Sequence, residues 1–213
     1  MGTTKLNIFN AALLEVGAGT AEVKILKIDT ENTLAGELCR AAWDPARKRA
    51  LTRIQPREAT FYAEPGGALS GASLPVVTDW EYVYKYPESP ACLLFLGVID
   101  QERDEKYREQ FYPYAIGGNE TGSWIACDYE NTDIYFKYIF DLTNPGRYSA
   151  TLEAAIAYIM AELLMPAVAN KDNMKVLQEQ LKDKWEALGR SARAEEQYDR
   201  HNIELDKPMS EIT

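Results

Sequence analysis

Between Leu152 and Met165 the only charged residues are Glu153 and Glu162, and this run restricts the fold more than any other stretch. Leu152, Ala155, Ile156, Ile159 and Leu163 recur at the offsets of one helical face. The opposite side, Ala154, Ala157, Tyr158 and Ala161, is scarcely more polar. A helix that is apolar all round has to be buried. The run is shorter than the roughly 20 residues that span a bilayer, and Glu162 lies inside it, so it predicts a core helix. Ser149 is placed to cap its start, and Pro166 to stop or bend its end.

A second helix is expected from Asp172 to Gln197. Met174, Leu177, Leu181, Trp185, Leu188 and Ala192 make a single stripe, whereas Lys182 to Glu186 and Glu186 to Arg190 are spaced for i,i+4 pairing on the outer side. Asn170 or Asp172 can cap it, which gives an antiparallel pair joined by a short loop.

Two further helices are expected near the start. Thr4 can cap one carrying Leu6, Phe9, Leu13 and Val16 on one side and ending at Gly17. Val23, Ile25 and Ile28 suggest a brief extended passage. Thr30 then introduces a helix with Leu34, Leu38, Ala41 and Ala42 inward. Asp44-Pro45 is either a kink in it or a fresh start, since Pro is tolerated at a first helical position, and the pattern continues to Ile54.

Pro56 changes the texture. Pro65-Gly66-Gly67, Gly71 and Pro75 mark a loop, and then Trp80, Tyr82, Tyr84 and Tyr86 alternate along one face of a strand. Such a ladder could serve as a base-stacking platform, but packing is the better reading because the neighbouring charge is not basic. Ala91 to Ile99 reads as either helix or strand, and Gln101 to Gln110 as an exposed loop or hairpin tip. Tyr112 to Ile116, Ser123 to Cys127 and Asp133 to Phe140 read as strands, with turns at Gly117-Gly118-Asn119 and Glu130-Asn131-Thr132.

The expected fold is therefore mainly α with a β insertion. Residues 1–55 and 143–200 form a discontinuous antiparallel helical bundle, residues 56–142 a small antiparallel β insertion, and residues 201–213 an extended tail. In that tail Ile203, Leu205, Met209 and Ile212 are spaced among charges, a pattern that orders by adding to a partner.

Charge and composition narrow the function. The net charge of −10 argues against gripping nucleic acid by neutralising phosphates. Yet Arg40, Arg47, Lys48, Arg49, Arg53 and Arg57 face only Asp44 in their segment, which is +5 and leaves −15 for the rest. That basic stripe suits an acidic partner surface, or is simply a solvated helix face. Cys39, Cys92 and Cys127 are widely spaced, so buried thiols are expected in place of a disulfide framework or zinc site. No apolar, cationic leader is seen at Met1 to Asn10, and manufacture in a cytoplasm is expected.

The one histidine, His201, lies in the tail, which removes most His-based triads and multi-His metal sites. Nucleophile-elbow, phosphate-loop, dinucleotide and EF-hand motifs are not present. Glu102, Asp104 and Glu105 sit in a charged run, where the desolvation that separates two carboxyl pKa values is not expected. No catalytic residue, cofactor or metal is expected.

The order of these signals resembles the tail tubular protein A, or head-to-tail adaptor, family of tailed bacteriophages and gene transfer agents. Leu6-Asn7-Ile8-Phe9-Asn10-Ala11-Ala12-Leu13-Leu14-Glu15-Val16-Gly17 is similar to the family's opening helix. Ala35 through Arg49, with Cys39 and Trp43-Asp44-Pro45-Ala46-Arg47, resembles its second helical segment, with Leu51 following. Trp80-Glu81-Tyr82-Val83-Tyr84-Lys85-Tyr86-Pro87 fits a W-x-Y-x-Y-x-x-P signature. Tyr138-Ile139, Asn144-Pro145 and the Ala154 to Leu163 helix resemble the closing pattern, which usually ends near Arg193-Ala194. One departure is that Phe61-Tyr62-Ala63 stands without the family's preceding Trp.

The resemblance implies a structural virion protein at the head-tail junction, made in the host cytoplasm. About twelve copies would form a homo-oligomer ring below the portal protein, joining it to a downstream nozzle or tube protein. Double-stranded DNA would pass through an acidic lumen without tight binding, and no membrane is involved. Arg40, Arg47, Lys48, Arg49 and Arg53, with Ile203, Leu205, Met209 and Ile212, are the candidate partner contacts. Trp80, Tyr82, Tyr84 and Tyr86 are the candidate subunit contacts. The alternatives are a cytoplasmic helical module for an unknown ligand, or a cell-wall-degrading tail accessory protein.

Overall fold

The computed structural model describes residues 4–17, 25, 27, 32–69, 79–100, 111–119, 122–168 and 174–190. It divides into two compact units, one made of Met1–Ile54 and Asn144–Thr213, the other of Gln55–Thr143.

In the first unit, α1 (Lys5–Glu15) follows Thr4, whose extended backbone starts the helix without a side-chain cap bond. Gly17, at φ 72°, ends it, and the Gly17 N–H donates to the Leu14 carbonyl at 3.1 Å. A left-handed residue satisfies carbonyls that the helix end leaves open, and glycine adopts that conformation without strain. α2 (Leu34–Ile54) starts at Thr33, whose Oγ1 accepts from the Gly36 N–H at 3.2 Å. Thr30 lies outside the described residues. Asp44-Pro45 is not a fresh start, because one helix runs through with Pro45 inside it.

The apolar run becomes α3 (Ala150–Val168), and Ser149 Oγ caps it by accepting from the Leu152 N–H at 3.2 Å. Pro166 lies within the helix and does not end it. α3 is long and apolar enough to cross a membrane, but it packs against α1 and α2 as a core element. Leu152, Ala155, Ile156, Ile159 and Met160 are fully enclosed, together with Phe9 and Leu13 of α1 and Cys39, Ala46, Ala50 and Leu51 of α2. The Phe9 and Trp43 rings meet edge to face at 5.7 Å. Residues 174–190 form α4, in which Leu181 is buried and Met174, Leu177, Trp185 and Leu188 are half-buried along the expected stripe. Ala192 and the proposed caps Asn170 and Asp172 lie outside the described residues. Ile25 is buried but is not in a strand, and the Asn10 side chain satisfies both of its backbone groups, at 2.9 and 3.0 Å. Val23 and Ile28 lie outside the described residues.

The second unit is built of strands: β1 (Thr60–Ala63), β2 (Tyr82–Lys85), β3 (Cys92–Asp100), β4 (Phe111–Tyr112), β5 (Ala115–Asn119), β6 (Gly122–Cys127) and β7 (Ile134–Phe140). They make a four-stranded antiparallel sheet in the order β1-β7-β3-β4 and a three-stranded one in the order β2-β6-β5. One core serves both sheets. Tyr84, Ile125 and Cys127 come from the smaller sheet, and Phe95, Val98, Ile134, Phe136 and Tyr138 from the larger. Alternation along β7 sends Ile134, Phe136 and Tyr138 inward and Tyr135 and Lys137 outward.

This overturns the expected mainly α fold with a small β insertion. Seven strands in two sheets with their own core, beside four described α-helices, make an α+β chain. The physical reason lies in runs that periodicity left open. Ala91 to Ile99 is a continuous apolar segment, and it becomes β3, the strand that pairs with β7 on one side and β4 on the other. Phe61-Tyr62-Ala63, to which no element was assigned, belongs to an edge strand. Tyr112 to Ile116 divides at Pro113, which has no N–H for a ladder, so β4 joins one sheet and β5 the other.

Gly117-Gly118-Asn119 is not a turn but part of β5. Gly117 pairs with Trp124, and a Cβ at Gly117 would lie 2.0 Å from the indole ring. The glycine is there to let the ring lie flat across the strand. The Gln101 to Gln110 run, its carboxylates Glu102, Asp104 and Glu105, and the 201–213 tail with His201 lie outside the described residues.

Candidate functional site

The basic residues of α2 do not form one stripe. A helix turns about 100° per residue, so Arg40 and Arg47 share a direction that Lys48, Arg49 and Arg53 leave. Arg47 is 3% exposed, and its Nη2 lies 3.3 Å from Asp44 Oδ1. It is therefore withdrawn from the candidate partner contacts, since a buried paired guanidinium is part of the fold. Arg40 is half-buried, and Lys48 and Arg49 are exposed. Arg49 reaches Glu162 of α3 at 3.6 Å, with both side chains about half exposed. Such a pair adds little stability by itself. Arg53 lies over the Trp185 ring at 4.6 Å and ties α2 to α4. Tyr158 of α3 meets the same indole edge on at 6.4 Å, and Lys184 pairs with Glu15. What read as a basic surface is in large part the polar seam between helices.

The aromatic ladder also turns inward. Tyr84 is 1% exposed, and its hydroxyl donates to the Tyr129 carbonyl at 2.7 Å. It is removed from the candidate subunit contacts. Burial drives its pKa well above the usual phenol range. Trp80, Tyr82 and Tyr86 are half-buried and pack on the core that Tyr84 joins. The Tyr82 and Tyr84 rings stack at 6.4 Å, and Tyr86 touches Phe95 at 6.0 Å. Their outer edges remain available to a neighbour, but most of each ring is spent inside. The tail candidates Ile203, Leu205, Met209 and Ile212 lie outside the described residues.

The cysteines behave as core thiols. Burial pushes the Cys39 thiol up to about 11, the nearby Arg40 opposing weakly. Burial likewise raises Cys127 and Cys92. Cys92 Sγ donates to the Tyr86 hydroxyl at 3.3 Å. A thiol held in its neutral form is a poor nucleophile and a poor metal ligand. Among the described residues no group of three or more His, Cys, Asp or Glu is placed to hold a metal ion.

A different surface emerges on the outer face of the four-stranded sheet. The register puts Tyr62 of β1, Lys137 of β7 and Gly97 of β3 in one row. Phe111 of β4 swings over Gly97, where a Cβ would come within 2.5 Å of its ring. The Lys137 ammonium therefore sits between two aromatic rings, 5.5 Å from the centre of Tyr62 and 5.8 Å from that of Phe111. Phe111 is 53% exposed, more than any other aromatic side chain among the described residues of this unit. Sequence reasoning passed over this group because its four members come from four strands. The alternation of Tyr135 and Lys137 with the enclosed Ile134, Phe136 and Tyr138 on β7 was the one signal of a second face.

No protein-family model matches the chain, and no curated protein matches it.

Proposed function

We propose that this protein is a structural adaptor that forms a ring between a viral portal and the tail below it. The observation that carries this reading is the W-x-Y-x-Y-x-x-P signature together with its setting. Its tyrosines Tyr82 and Tyr84 lie on β2 of a sheet unit that interrupts the chain between the two segments of a helical unit. The other resembling segments fall in order around it. The opening Asn-x-Ala-Leu segment is α1, Trp43-Asp44-Pro45 lies in α2, and Asn144-Pro145 leads into α3.

The physical features suit the role. A closed ring is built from two unlike surfaces on each copy, and this chain contains two units of unlike build, one helical and one of strands. Its net charge of −10 would keep DNA phosphates from adhering to a channel wall.

The test is to mix the purified protein with the cognate portal and count copies by native mass spectrometry. A ring of about twelve copies per portal is expected on the portal's tail-facing end. Absence of any portal complex, or a stoichiometry of one or two copies, would overturn the reading.

A further inference from the structure

We propose that Tyr112 and Tyr129 form an oxidative modification site, at which a one-electron oxidant joins the two rings into a dityrosine that staples β4 to the β6–β7 connection. This inference is independent of the ring reading. The two rings stack with their centroids 4.0 Å apart and their planes 23° from parallel. The stacked pair Tyr82 and Tyr84 is wider, at 6.4 Å, and Tyr84 is enclosed. Tyr112 and Tyr129 are each only half-buried against the core that the two sheets share, so an oxidant in solution has access to them. Both backbones are held in place. Tyr112 pairs with Val98 in the β3–β4 ladder, and the Tyr129 carbonyl accepts from the Tyr84 hydroxyl at 2.7 Å. Rings kept in contact react as parts of one molecule, without the loss of freedom that a chance encounter costs.

A proton acceptor is also in place, because the Tyr112 hydroxyl donates to Asp100 Oδ2 at 3.1 Å. Burial, and after it this hydrogen bond, raises the Tyr112 phenol above its usual range, so the ring is oxidised from its neutral form and the proton leaves with the electron. Asp100 takes that proton. Tyr129 gives up one electron to the oxidant and its phenolic proton to water. The two phenoxyl radicals then bond ortho carbon to ortho carbon, and the hydrogens on those carbons move to the phenolic oxygens as aromaticity returns. Two electrons pass to two equivalents of the oxidant, a haem peroxidase or a ruthenium(III) complex by class, and two protons pass to solvent, one of them by way of Asp100. The bond has a structural consequence. β4 is a two-residue strand at the edge of its sheet, paired through Val98 with Tyr112 and Ile99 with Phe111, and the dityrosine would anchor it to the segment that links the two sheets.

The experiment exposes the full chain, as a mixture of two isotopic forms, to photogenerated tris(bipyridyl)ruthenium(III) and maps the products by proteolysis and mass spectrometry. A Tyr112–Tyr129 peptide pair lighter by two hydrogens is expected within single copies, roughly tenfold or more above any other tyrosine pair. Tyr112→Phe and Tyr129→Phe should each abolish it, with circular dichroism showing that the fold is kept. Asp100→Asn should slow the coupling several-fold at neutral pH and approach the parent's rate as pH rises past about 10, where a phenolate needs no proton acceptor. A merely structural role for Asp100 would leave the deficit unchanged with pH. The cross-linked chain should unfold at a higher urea concentration than the unmodified one, since a covalent bridge restricts the unfolded chain. Coupling spread over other tyrosine pairs, coupling only between copies, or none in the folded parent would overturn the site. A pH-independent deficit, or none, in Asp100→Asn would overturn the proton transfer, and an unchanged urea midpoint would overturn the staple.

Discussion

Gly117 and Trp124 show how a single side chain sets the local backbone. A strand with two adjacent glycines is weak on propensity alone, since glycine loses the most freedom on ordering. It persists because the indole covers Gly117 and no other residue leaves room for it. Gly117→Ala should therefore destabilise the protein by about 1–3 kcal/mol through overpacking. Gly118→Ala, whose nearest neighbour would be 3.5 Å away, should stay within about 0.5 kcal/mol. Urea denaturation of both variants checks this, and equal losses would mean that the ring does not set the strand. The same pair explains a misreading of the sequence. Gly-Gly-Asn has the chemistry of a turn, and only the cross-strand partner, which no local pattern reveals, makes it a strand.

Among the elements, legibility followed periodicity. α3 and the α4 stripe were readable because a buried helix is written in repeats of three and four, and Ser149 marked the start of α3. β3 was not, since an apolar run of nine suits a buried strand and a buried helix equally. The basic stripe of α2 was visible as composition, but its division into a buried Arg47, an Arg49 tied to Glu162 and an Arg53 stacked on Trp185 depends on α3 and α4. α4 is itself the lightly held element, with Leu181 its one fully buried residue in the described span. Trp185 supplies much of its attachment through Arg53 and Tyr158. Trp185→Ala should cost about 2–4 kcal/mol of local stability, read as at least tenfold faster amide exchange across residues 174–190 while α3 keeps its protection. Uniform loss across both helices would show that α4 is part of the main core.

For the whole molecule, the sheet unit is contiguous in sequence and has its own core, whereas the helical unit is assembled from two distant segments. Residues 55–143 expressed alone should fold, giving a cooperative urea transition followed by Trp80 and Trp124 fluorescence. Residues 1–54 alone should not, because Phe9, Leu13 and Leu51 are enclosed only in the presence of α3. A non-cooperative transition in the excised sheet unit would refute its independence. This two-part organisation also orders events on the ribosome. α1 and α2 leave the exit tunnel with their apolar faces uncovered and stay so while the intervening strands emerge and settle. The helical half can close only when α3 arrives, so a chaperone acting on this protein would find its substrate in α1 and α2.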